Sequence, residues 1–125
     1  TEGSASTQIN TGVWVGSLSE ISHEKGYWLL SNLDFKLLIP IVIPSERDPV
    51  YNLHSGANLI SYTKKETINI ENAFSSNIQA DIISVITEGE ASIQLSPNQW
   101  VGSLNSFEAG KGYWVITSSS ISFSF

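Results

Sequence analysis

Trp14-Val15-Gly16-Ser17-Leu18 and Lys25-Gly26-Tyr27-Trp28 return, at the same spacing, as Trp100-Val101-Gly102-Ser103-Leu104 and Lys111-Gly112-Tyr113-Trp114. Thr1-Glu2-Gly3 likewise matches Thr87-Glu88-Gly89. Residues 1–39 lie over 87–125 without a gap, and 15 of the 39 pairs are identical. Self-similarity at a fixed offset marks a duplicated structural unit. Between the two blocks, 40–86 occurs once. Pro40, Pro44, Ser45, Asp48 and Pro49 mark an irregular connection there. The expected organisation is a truncated copy over 1–43, a connection over 44–49 and a complete unit over 50–125. A tail as short as the first copy cannot bury a core of its own. It is expected to pack on the rest of the chain or on another molecule. Thr1 falls inside a block whose second copy has sequence before it. The chain therefore reads as a piece of something longer, although a native start with its Met removed is also compatible.

The blocks read as β. Ile121-Ser122-Phe123-Ser124-Phe125 alternates apolar and polar residues, as a strand with one covered face does. Phe35, Leu37 and Ile39 hold the matching parity in the first block. Asn58–Thr63 and Ile82–Thr87 are rich in strand formers, and Tyr27–Leu30 and Tyr113–Thr117 are expected as short strands opened by a glycine. One segment has helical spacing: Ile70, Ala73, Phe74 and Ile78, with Asn69 as N-cap and Glu71 in the first turn. The fold class is mostly β with one short helix, built as a sandwich or a partly open barrel with internal pseudo-symmetry.

Residues kept in both blocks are those the shared shape needs. Gly16 and Gly102, between Trp and Leu, permit close approach of a neighbouring backbone or ring, or mark a bulge. Gly26 and Gly112 are expected at positive φ in the turn before the strand. Trp14, Tyr27, Trp100 and Tyr113 read as core, since each such ring can bury roughly 150–250 Å². Adjacent Tyr and Trp on a strand point to opposite faces. One ring per block, Trp28 and Trp114, is thus a candidate platform for a sugar ring or a partner side chain, with Lys25 and Lys111 beside it. Glu2–Lys25 and Glu88–Lys111 are expected as ion pairs, with the Lys stems lying over a Trp face or the charges simply solvated as the alternatives.

Composition narrows the rest. The net charge is −6 with only six Lys and Arg, which disfavours nucleic acid and anionic membranes. No apolar run approaches a membrane span. With no cysteine, disulfides and thiolate metal sites are excluded. His23 and His54 lack the spacing of a metal pair. Ser17 and Ser103 lack the context of a serine nucleophile. No phosphate loop or EF-hand is present, while a lone calcium site of carbonyls and carboxylates stays open. Catalytic residues, metal ligands and cofactors are accordingly expected to be none.

Tyr51–Tyr62, Ile86–Ala91, Trp100–Leu104 and Gly110–Trp114, in that order, resemble a repeat of large extracellular or virion-associated proteins of marine bacteria and their phages. The likeness covers 50–125, and 1–39 as a truncated copy in which His23-Glu24 stands for Ala109-Gly110. It implies tandem arrangement and an extracellular, cell-surface or virion location, and it implies no activity. The expected function is a non-catalytic module acting in adhesion or in binding a glycan or protein surface. A spacer repeat without ligand is the alternative. A glycosidase-like hydrolase is the third reading, and it needs two carboxylates about 5–10 Å apart. An unpaired strand in the first block could also make the chain dimerise.

Overall fold

The computed structural model describes residues 2–37 and 48–125. The chain forms β1 (Ser6–Asn10), β2 (Val13–Gly16), β3 (Tyr51–Leu53), β4 (Gly56–Ser61) and β5 (Ile68–Asn69), then the helix α1 (Ile70–Ala73). A 3₁₀ turn at Gln79–Asp81 leads into β6 (Ile82–Thr87), β7 (Glu90–Ser96) and β8 (Gln99–Gly102). β9 (Ser106–Phe107), β10 (Gly112–Thr117) and β11 (Ile121–Phe123) complete it. The fold is mostly β, and among the described residues no sheet closes into a barrel.

An antiparallel five-stranded sheet in the order β4-β10-β6-β7-β8 is the frame. Side chains alternate across it, so paired residues share a face. The row Asn58–Val115–Val85–Ser92 is buried throughout. Upon that face lie α1 and the two-stranded pairs β3–β11 and β5–β9. Their rings fill the core: Phe107 stands 4.5 Å from Tyr113 between centroids, and Phe74 meets Phe107 and Phe123 edge-on. Each of these rings removes a large apolar area from water, which is what holds so small a unit together.

Ile82–Thr87 is a strand with the expected bounds, and Tyr113–Thr117 lies within β10. The helix is shorter than its spacing suggests. It ends after Ala73, because Phe74 takes extended backbone (φ −116°, ψ 131°) as its ring enters the aromatic cluster, and the Asn69 side chain makes no capping bond. Ile70, Ala73, Phe74 and Ile78 are nevertheless all buried.

The first block repeats the hairpin of the second and the hydrogen bonds that follow it, up to the Tyr27 hydroxyl. β1 pairs β2 with Ser6 opposite Gly16 and Gln8 opposite Trp14; β7 pairs β8 with Ser92 opposite Gly102 and Gln94 opposite Trp100. The register slips at the same point in both hairpins, after Gln8 and after Gln94. Both tips need a left-handed residue, met by Gly12 (φ 77°) in one and Asn98 (φ 63°) in the other. Ser6 and Ser92 each donate a hydroxyl to the carbonyl of Leu18 or Leu104 at 2.7 Å. The Tyr27 hydroxyl accepts from Ser22 N–H at 2.9 Å, as the Tyr113 hydroxyl does from Glu108 N–H at 2.7 Å.

Beyond that point the blocks part. Tyr27–Leu30 is not a strand, and Phe35 and Leu37 lie outside any strand; Ile39 and the connection at 44–47 fall outside the described residues. The reason is the neighbours. β10 is clamped between β4 and β6, and β11 is paired by β3; all three partners come from residues 51–87. Among the described residues, the first block pairs with that region through a bridge from Lys25 to Ile60 on the outer edge of β4.

Candidate functional site

The second face of the five-stranded sheet is also apolar. One register row runs Leu59–Trp114–Ile86–Ala91, and the next runs Ala57–Ile116–Ser84–Ile93–Val101. Trp114 and Ile116 are half-buried, while Ile86, Ile93 and Val101 are exposed. Leu59 is covered, because Gly26 of the first block lies on it: a Cβ on Gly26 would meet Leu59 Cγ at 2.7 Å and the Ile60 carbonyl at 2.8 Å. That contact is a short antiparallel pairing. Gly26 N–H donates to the Leu59 carbonyl and Ser61 N–H to the Glu24 carbonyl, both at 3.1 Å; the Ser61 hydroxyl also donates to the His23 carbonyl.

Gly26 and Gly112 are therefore not at positive φ, contrary to the expectation; Gly110 holds that conformation, at 79°. Gly26 is glycine because β4 presses on it. Gly16 and Gly102 match the close-approach reading. Each has φ 152°, and a Cβ there would fall 2.1 Å from the carbonyl oxygen of Ala5 or Ala91. Those oxygens each accept two amides, from Ser17 and Leu18 or from Ser103 and Leu104.

The four candidate contact residues sit in different settings. Trp114 stands on the outer sheet face, Trp28 is exposed in the first block, and Lys25 bridges to β4. Lys111 pairs with Glu108 at 3.0 Å, and that hydrogen bond holds its pKa above the ordinary value. Neither expected Glu–Lys pair forms among the described residues. Glu2 instead meets His54, with 3.2 Å from Oε1 to Nε2. The Ser55 carbonyl on Nδ1 and then Glu2 raise the His54 pKa. The carboxylates choose partners that the loops bring close, and these lie across the chain or within one turn. Of the structural residues, Tyr113 is fully buried, Trp100 packs on the core beside Phe74, Tyr27 is half-buried and Trp14 is exposed.

Two shallow concavities flank this framework. One, about 270 Å³, lies where the first block meets the sheet, among Glu2, Lys25, Tyr51 and Asn58. The other, about 240 Å³, is lined by Asn69, Glu71, Trp100 and Asn105. Neither contains three carboxylate or imidazole groups poised for a metal, and among the described residues no such cluster occurs. No helix among the described residues is long and apolar enough to cross a membrane.

No protein-family model, curated protein or solved structure matches this chain. What the surface can do follows from its chemistry. An apolar face that carries a half-buried indole suits ring faces and apolar patches. Sequence reading reached Trp114 by alternation but missed Ile86, Ile93 and Val101. The signal was in β6: Ile82, Ile83, Val85 and Ile86 place apolar residues on both parities, as strands covered on both faces do.

Proposed function

We propose that the chain is a non-catalytic repeat module of a secreted, cell-surface or virion protein, acting by contact with a glycan or protein surface. The outer face of the five-stranded sheet carries this reading: Trp114, Ile86, Ile93 and Val101 remain accessible although the opposite face already supplies the core. In the first block Val15 and Trp28 hold the positions of Val101 and Trp114, and both are exposed. Low charge suits neutral, hydroxylated partners. The extracellular or virion setting comes from the resemblance of the WVGSL and GKGYW strings. A glycan array probed with wild type, Trp114→Ala and Val101→Glu tests the reading. Truncating a central aromatic or placing a charge on the face should weaken a bound signal by about tenfold or more. Sugars held equally by all three proteins would move the contact elsewhere; no sugar held by any of them removes the glycan version.

The spacer reading has its own support. Tyr113 and Trp100, two of the three repeated rings of the complete unit, belong to the core. Under it, Trp100→Ala lowers the melting temperature and Val101→Glu changes nothing.

A further inference from the structure

The first block exposes a second apolar surface, distinct from the outer sheet face. Ile21, Leu29 and Leu37 are 78%, 58% and 53% exposed. Their counterparts at +86, Phe107, Val115 and Phe123, are 0%, 0% and 8% exposed and form the centre of the core. The hairpin beside them is set as in the second block, with the same register and the same serine and tyrosine hydrogen bonds, whereas Ile21, Leu29 and Leu37 themselves lie outside any strand. In the second block, residues 51–87 cover these positions with β6, α1, β3 and β4.

Two polar features point to the same missing cover. Gln94 donates from Nε2 to the carbonyls of Gln79 (2.5 Å) and Ile82 (2.8 Å), tying its hairpin to the 3₁₀ turn and β6. Gln8 is the same residue at the same register position and is exposed. The turn that joins β6 to β7 uses Glu88-Gly89, with Gly89 at φ 77°; Glu2-Gly3 forms a turn of the same kind, with Gly3 at φ 68°. The outer edge of β1 thus presents the groups that β7 uses to pair β6.

We infer that residues 2–37 are a docking surface for a segment with the sequence pattern of residues 48–86. Its β6-like strand adds antiparallel to β1, with the counterpart of Ile86 opposite Ala5 and that of Val85 opposite Ser6. Backbone pairing supplies the register, and the alternate apolar side chains supply the fit. Its helix and β3-like strand then cover Ile21, Leu29 and Leu37. The occupant is another unit of the same kind, because that pattern already covers Phe107, Val115 and Phe123 and meets Gln94, the counterpart of Gln8. A second copy of this 125-residue chain could donate the segment only by uncovering its own core.

This inference rests on the repeat reading but not on the outer face, so the two are tested apart. Residues 48–86 are fused directly before Thr1 of the full chain; Ile86 then runs into Thr1-Glu2-Gly3 as it runs into Thr87-Glu88-Gly89. Hydrogen exchange is followed at amides 5–9 and 27–31, beside a control fusion carrying Ile82→Asp and Val85→Asp. Exchange slowed about tenfold or more in the fusion, in a monomer and not in the control, supports the inference. Equal exchange in fusion and parent, or equal protection by the control, overturns it. Glycan binding by the fusion reports on the outer face alone and changes neither outcome.

Discussion

Tyr113 shows how one side chain joins chemistry to shape. Its ring closes the core against Phe107, and its hydroxyl stays useful by accepting the Glu108 amide at the start of the turn. Burial raises its pKa and that of Tyr51, since the phenolate is disfavoured away from water. The sign follows. The unfolded chain ionises these tyrosines first, so the stability they confer is intact below about pH 10 and falls as pH climbs past it. Melting temperatures measured by circular dichroism from pH 8 to 12 should be level at first and then decline. Tyr113→Phe should cost about 1 kcal/mol at neutral pH, from the orphaned Glu108 amide, and should soften the alkaline decline. Duplication made Tyr113 legible in the sequence as structural. The partners of Lys111 and Glu2 were not legible, because ion pairs depend on which loops meet in space.

At the level of elements, the two hairpins are one design in two settings. Gly16 and Gly102 occupy the same glycine-only conformation against the same carbonyl. β7–β8 is nevertheless integrated into the five-stranded sheet, while β1–β2 is a separate two-stranded ribbon. Gly102→Ala should therefore cost about 3 kcal/mol of global stability, through a strained φ and a clash with Ala91. Gly16→Ala should melt only its own ribbon and leave the global transition within about 0.5 kcal/mol, because loosely attached elements open locally. Denaturant titration with amide exchange on both variants checks the pair; equal global losses would show that the ribbon is part of the cooperative unit. Strand identity was written locally for β6 and β10, where β-branched and aromatic residues cluster. It was misread at Tyr27–Leu30, whose sequence suits a strand but whose flanking strands are not among residues 2–37. α1 was shortened by packing: Phe74 gains more from the aromatic cluster than from another helical turn.

At the scale of the whole molecule, the described residues expose apolar side chains on the outer sheet face and on residues 2–37. A charge of −6 spread over few ionised groups opposes association only weakly at physiological salt. The chain should self-associate in a concentration-dependent way by sedimentation velocity, and Ile21→Lys with Leu29→Lys should shift it towards monomer. A strict monomer at high concentration would mean these surfaces do not attract each other. By itself the sequence did not determine that Trp14 is exposed or that Tyr51, Tyr62 and Phe107 join the core, but it did determine the β class, the duplicated hairpin and the structural place of Tyr113. Those features are fixed by side-chain alternation, by glycines where a backbone comes close, and by short-range hydrogen bonds within each block. Only the tertiary structure decided that the same residues are core in one block and surface in the other. Burial is a property of what lies above a side chain, and that cover comes from residues 48–86, far from the blocks in sequence.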